Sequence, residues 1–140
     1  MSDNNLVYAD FFIDPWNPTH EELTKWAYGH YYEPDQDFEL SVVMIIDTDP
    51  DFILAFAADP ACPNRDWFLG TFYTWIGDTV KGMYSVAIAE RVLQNATNIS
   101  DERLQKFVKR SRALITDPSL YTYEKWGMGT SYIYGKDKNS

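Results

Sequence analysis

The stretch that most restricts the fold is "NRDWFLGTFYTWIGDTVKGM", residues 64–83. Trp67, Phe68, Leu69, Phe72, Tyr73, Trp75, Ile76 and Val80, wound at a helical period, leave almost no polar face. A helix that is apolar nearly all round must be covered nearly all round, so the stretch predicts a buried central helix with other elements packed around it. Gly70 and Gly77 stand two turns apart on one face, where a neighbour is expected to approach closely.

The punctuation on either side supplies the neighbours. Asp-Pro occurs at Asp14-Pro15, Asp49-Pro50, Asp59-Pro60 and Asp117-Pro118. Asp accepts from the free amides of a helix's first turn, and Pro lacks the N–H that would find no partner there. Asp49 and Asp59 are therefore expected to be helix caps, with Asp47, Asp51 and Asp66 as solvated charges at helix ends. A helix is predicted over 20–29, opened by a capping box of Thr19 and Glu22, with Leu23, Trp26 and Ala27 inward. Residues 38–46, "FELSVVMII", have the β-branched content of a strand, but no second strand is available to pair with them, and they are read as helix. Further helices are predicted after Asp49, over 84–95 with Tyr84, Ala87, Ile88, Arg91 and Val92 on one face, and over 101–115. The last is capped by Ser100 and carries one stripe of Leu104, Phe107, Val108, Ser111, Leu114 and Ile115.

The tail is expected to hold a short helix ending near Gly127, then an aromatic strip and a frayed end at 136–140. Residues 1–140 thus read as one all-α domain, a compact bundle of about six short helices. Pairs around the Asp-Pro turns would stack as helical hairpins, as HEAT-type repeats do.

Motifs for chemistry are few. Asp47, Asp49 and Asp51 alternate as in a calcium loop, but Phe52 stands where Gly is required and Ala58 where the closing acid belongs. His20 and His30 lack the spacing that places two imidazoles on one helical face. Cys62 is a lone cysteine at a helix start, read as a packing residue, and "GMGTS" at 127–131 has neither a preceding strand nor a phosphate-loop lysine. No metal or cofactor is expected. The lone cysteine, the absence of a signal-like N-terminus and the absence of a long apolar run point to a cytoplasmic protein that does not enter membranes.

The charge is unevenly divided. Residues 1–66 hold fourteen acids and two bases, Lys25 and Arg65, a net of −12; residues 67–140 hold seven acids and ten bases, a net of +3; together they make −9. An anionic surface suits a cationic partner and disfavours nucleic acid. Solubility alone is the plainer account of the same acids. Around "WAYGHYYEP", aromatics stand beside acids, the pairing that protein-binding surfaces use for anchoring and steering. The expected contact residues are Trp16, Tyr31, Tyr32, Glu33, Asp35, Asp37, Glu39, Asp47 and Asp51. Lys106, Lys109 and Arg110 are expected to form an exposed basic face pointing elsewhere.

Residues 59–80, "DPACPNRDWFLGTFYTWIGDTV", in a small acidic helical chain, resemble the immunity proteins of bacterial toxin–immunity pairs, including those of contact-dependent growth inhibition. The resemblance implies a non-enzymatic protein that inhibits one cognate toxin by tight binding, often to a basic nuclease domain. Occlusion would follow, with acids from 33–51 meeting Lys or Arg of the toxin cleft and aromatics filling its pockets. The alternative from another class is a small helical enzyme with an interior carboxylate site; a generic acidic adaptor domain is a third reading.

Overall fold

Six α-helices form among residues 6–34 and 37–122, the part of the chain described in the computed structural model: α1 (His20–Ala27), α2 (Phe38–Thr48), α3 (Pro50–Ala58), α4 (Arg65–Val80), α5 (Val86–Thr97) and α6 (Glu102–Thr116). A short 3-10 turn, Pro118–Leu120, follows. The fold is all-α. The expected helix and aromatic strip of the tail lie outside the described residues.

From α2 onward, each closely packed helix pair is adjacent or next-but-one in the chain: α2 with α3 and α4, α3 with α4 and α5, α4 with α5 and α6, α5 with α6. That is the arrangement of stacked hairpins, with α2, α4 and α6 in one row and α3 and α5 in the other. α4 touches all four of the others, as its apolar surface requires. Phe68, Phe72, Trp75 and Ile76 of α4 are fully buried. Gly77 does admit a close neighbour: the Tyr121 ring occupies the space where a Cβ would stand.

Local signals explain most boundaries. The Thr19 hydroxyl accepts from the Glu22 amide at 3.1 Å while the Glu22 carboxylate accepts from the Thr19 amide at 3.0 Å, so the capping box of α1 is complete. α4 stops at Val80, short of the expected 83, because Gly82 takes φ +99°, a left-handed conformation that favours glycine. The Gly82 amide donates to the Thr79 carbonyl and the Met83 amide to Asp78, each at 3.0 Å, which closes a Schellman motif. α5 then begins after Tyr84, and its buried face is Ala89, Val92, Leu93 and Ala96. The expected face was rotated: Ala87 and Arg91 are exposed. α6 is capped by Asp101, not Ser100, through a 3.0 Å bond from the Leu104 amide.

The Asp-Pro pairs are turn devices, but only one opens an α-helix. Asp14, Asp59 and Asp117 each accept, through a carboxylate oxygen, the amide two residues on, from Trp16 (3.0 Å), Ala61 (2.8 Å) and Ser119 (3.2 Å). These are Asx turns. Asp59 therefore ends α3 instead of capping the next helix, and its carboxylate also accepts from the Tyr28 hydroxyl at 2.6 Å. That bond, with the Ala61 amide, holds the Asp59 carboxyl below its ordinary range. Asp49 precedes Pro50 of α3 without a side-chain cap, and its carboxylate lies 3.3 Å from His20 Nε2.

The stripe of α6 carries one discordant residue. Ser111 is fully buried, and its hydroxyl has no hydrogen-bond partner among the described residues. Ser111→Ala is expected to raise stability by about 1 kcal/mol, because it removes an unsatisfied polar group and favours helix. Urea unfolding midpoints of the two proteins would show it; a lower midpoint for the alanine variant would mean the hydroxyl is bonded after all.

Candidate functional site

α4 has one edge that is not fully covered. Trp67, Thr74 and Asp78 are its half-buried residues on that side, seven and then four positions apart, so they line one face of the helix. Carboxylates from α2 and from the loop before it converge on this edge. The Thr74 hydroxyl donates to Glu39 at 3.0 Å, and the Trp75 indole N–H donates to Asp47 at 3.3 Å. Glu39 and Asp47 are two turns apart on α2, which places both beside α4.

The electrostatics mark the edge as a shared acidic strip. Burial pushes the Asp78 carboxyl up, and the Glu39 charge adds to the shift. Crowding likewise pushes Glu33 up, Glu39 adds to it, and the Trp67 indole works against it. Trp67 Nε1 is buried and makes no hydrogen bond of ordinary geometry among the described residues. At the far end, burial and then the charges of Asp78 and Asp47 raise the Tyr84 phenol. Glu33, Glu39, Asp78 and Asp47 thus follow one another along the groove between α2 and α4. Among the described residues, no three His, Cys, Asp or Glu side chains are grouped to hold a metal ion.

The expected contact residues divide between this groove and other places. Glu33, Glu39 and Asp47 lie on it. Asp37 precedes α2, where its carbonyl accepts from the Ser41 amide at 3.1 Å. Asp51 belongs to the seam of α3 and α5, accepting from Asn95 Nδ2 at 3.3 Å, so it is not simply a solvated charge. Asp35 lies outside the described residues. The aromatics serve the N-terminal segment: the Tyr31 ring meets Phe11 edge-on at 5.0 Å, and Tyr32 packs on Tyr8 at 5.0 Å. A single parallel bridge ties Val7 to Tyr31. Tyr32 and Trp16 are exposed.

The bases of the second half are paired within the chain more than expected. Arg103 pairs with Asp66, and Arg112 pairs with Glu90 at 2.8 Å. Arg110 reaches the buried Tyr73 hydroxyl. Of the expected basic face only Lys109 is exposed; Lys106 and Arg110 are half-buried. Asp66, expected as a solvated charge, is instead part of the α4–α6 seam.

Asp78, Thr74 and Trp67 were missed as site residues. A signal is present in the sequence: Thr74 and Asp78 are polar residues one turn apart in a mostly apolar helix, as expected of a partly uncovered edge. Among the described residues, no helix is long and apolar enough to cross a membrane. Comparison of the chain with protein-family models, with curated proteins and with solved structures gives no match.

Proposed function

We propose that this chain is a non-enzymatic cytoplasmic protein that binds a cationic protein partner and occludes it, as an immunity protein does its toxin domain. The observation that supports this reading is the groove of Glu33, Glu39, Asp78 and Asp47. Two of these carboxyls are pushed up by burial and by a neighbouring negative charge, so a lysine or arginine from a partner would relieve that repulsion. The pairing of Arg103 with Asp66 and of Arg112 with Glu90 strengthens the asymmetry, because these surface bases are already matched to carboxylates of the same chain. An acidic strip of this kind steers association more than it sets affinity.

The test is binding to the product of the gene adjacent to this one. The expected product is a basic toxin domain whose association slows steeply with rising salt. Combined Glu39→Gln, Asp47→Asn and Asp78→Asn should lower the on-rate at least about tenfold, whereas Lys109→Ala should do little. An adjacent product without a toxin domain, or an on-rate insensitive to salt, would sink the proposal.

A further inference from the structure

The outer face of α2 carries an apolar strip beside the groove. Leu40 and Met44 stand one turn apart and are 46% and 55% exposed. At about 100° per residue, Asp47 falls next to them on the helix circumference. Met83, 64% exposed, closes the Schellman turn and precedes Tyr84. The Met83 amide donates to the Asp78 carbonyl, which holds the 83–84 segment at the end of α4, and the Trp75–Asp47 bond sets that part of α4 beside the C-terminal end of α2. The Tyr84 phenol, raised by burial and by Asp78 and Asp47, agrees. Two exposed methionines and a leucine are thus set among carboxylates.

The chemistry of this strip selects its occupant. Methionine is unbranched and polarizable and adapts to a partner's apolar side chains. α2 offers a helix surface and no open backbone edge, so an added strand would find nothing to pair with. Anionic lipid headgroups and nucleic acid would be repelled by Asp47 and Asp78. A second copy of the chain in a two-fold contact would bring the same acids face to face. What remains is a helix with an apolar face rimmed by lysine or arginine. We infer that α2 and the 83–84 segment form a docking strip for a basic amphipathic helix of the partner, an inference that rests on the cationic-partner reading above.

Two labelled peptides of equal positive charge test it: a Leu/Lys model helix with leucine at helical spacing, and an oligolysine with no apolar face. Binding is read by fluorescence anisotropy at several salt concentrations. The amphipathic peptide should bind at least about tenfold more tightly than oligolysine. Combined Leu40→Ser and Met44→Ser should remove that advantage while leaving oligolysine binding unchanged. Asp47→Asn with Asp78→Asn should weaken both peptides. Ile13→Ser, which alters a highly exposed residue of the N-terminal segment, should weaken neither. If oligolysine binds in a salt-dependent way but the amphipathic peptide binds no tighter, the docking strip is wrong and the cationic-partner reading stands. If neither peptide shows salt-dependent binding, both fall. Loss of the advantage in the Ile13 variant alone would move the docking surface to the N-terminal segment and overturn the assignment to α2.

Discussion

Replacing Arg65 with Met is expected to cost about 3–5 kcal/mol, the usual result of removing one partner from a buried ion pair. Arg65 Nε and Nη2 donate to the Ala57 carbonyl at 3.1 and 3.0 Å, and Nη2 also reaches Asp101 at 2.8 Å. The two side chains are only 11% and 14% exposed. One guanidinium therefore joins the end of α3, the start of α4 and the cap of α6. Burial alone would raise the Asp101 carboxyl, but the Arg65 hydrogen bond, the Leu104 amide and the Arg65 charge outweigh it and hold the carboxyl below its ordinary 3.8. A depressed carboxyl contributes stability above its unfolded pKa and loses it as pH falls through the folded one. In Arg65→Met the burial is left unopposed by the guanidinium, so protonating Asp101 would then help the fold. The gap between the two proteins should accordingly be widest at neutral pH and narrow below about pH 4. Urea unfolding at neutral and acid pH measures both; a gap that is small, or that does not change with pH, would show that the pair contributes little.

Much of this fold is legible in the residue pattern, and the places where it is not have physical causes. The central helix could be read because its apolar residues admit no exposed face, and α6 because its stripe and polar side separate cleanly. The strand-like content of α2 gives way to helix, since a strand without a pairing partner leaves its backbone unsatisfied. α5 was read one step out of phase because Tyr84 fits the helical period, yet it sits in the turn that Gly82 forces. A glycine two positions beyond a run of β-branched and polar residues was the available sign. The Asp-Pro pairs looked alike in sequence, but three close onto their own backbone and one faces His20; which occurs depends on neighbours far along the chain.

The site was half legible for a related reason. Glu33, Glu39 and Asp47 could be proposed from local acidity, but Asp78 joins them only through the packing of α2 on α4. Charge counting also cannot tell an arginine that pairs with a neighbouring helix from one that faces solvent alone. Arg103, Arg110 and Arg112 all have partners on neighbouring helices, so the positive balance of residues 67–140 overstates the basic charge open to a ligand. The asymmetry that remains is carried mainly by acids, and the groove concentrates some of them at one edge of the central, largely buried helix. A strip built on α2 and α4 has its spacing set by core packing, whereas aromatics on the 6–17 segment depend on far fewer contacts.

The link between core and groove makes Trp26 the second position of large expected effect. Trp26 is 2% exposed, and its indole packs edge-on against Phe38 (4.9 Å), Trp67 (5.0 Å) and Phe68 (5.8 Å). It therefore joins α1 to the first turns of α2 and α4, where the groove begins. Its indole N–H donates to the Tyr32 carbonyl at 3.1 Å and so fixes the turn that presents Glu33. Trp26→Ala should cost about 3–5 kcal/mol through the cavity alone. Trp26→Phe keeps most of the ring contact and gives up the hydrogen bond, so about 1–2 kcal/mol is expected. The milder variant is the more informative one. The Tyr32 amide donates to the Val7 carbonyl at 2.9 Å, and the Val7 amide donates to His30 at 3.2 Å. Both amides should exchange with solvent faster in Trp26→Phe, by more than its global destabilisation explains, while amides in the middle of α4 follow the global change. Uniform acceleration across the fold would mean that Trp26 supports the core without governing the turn, and that Glu33 is positioned by other contacts.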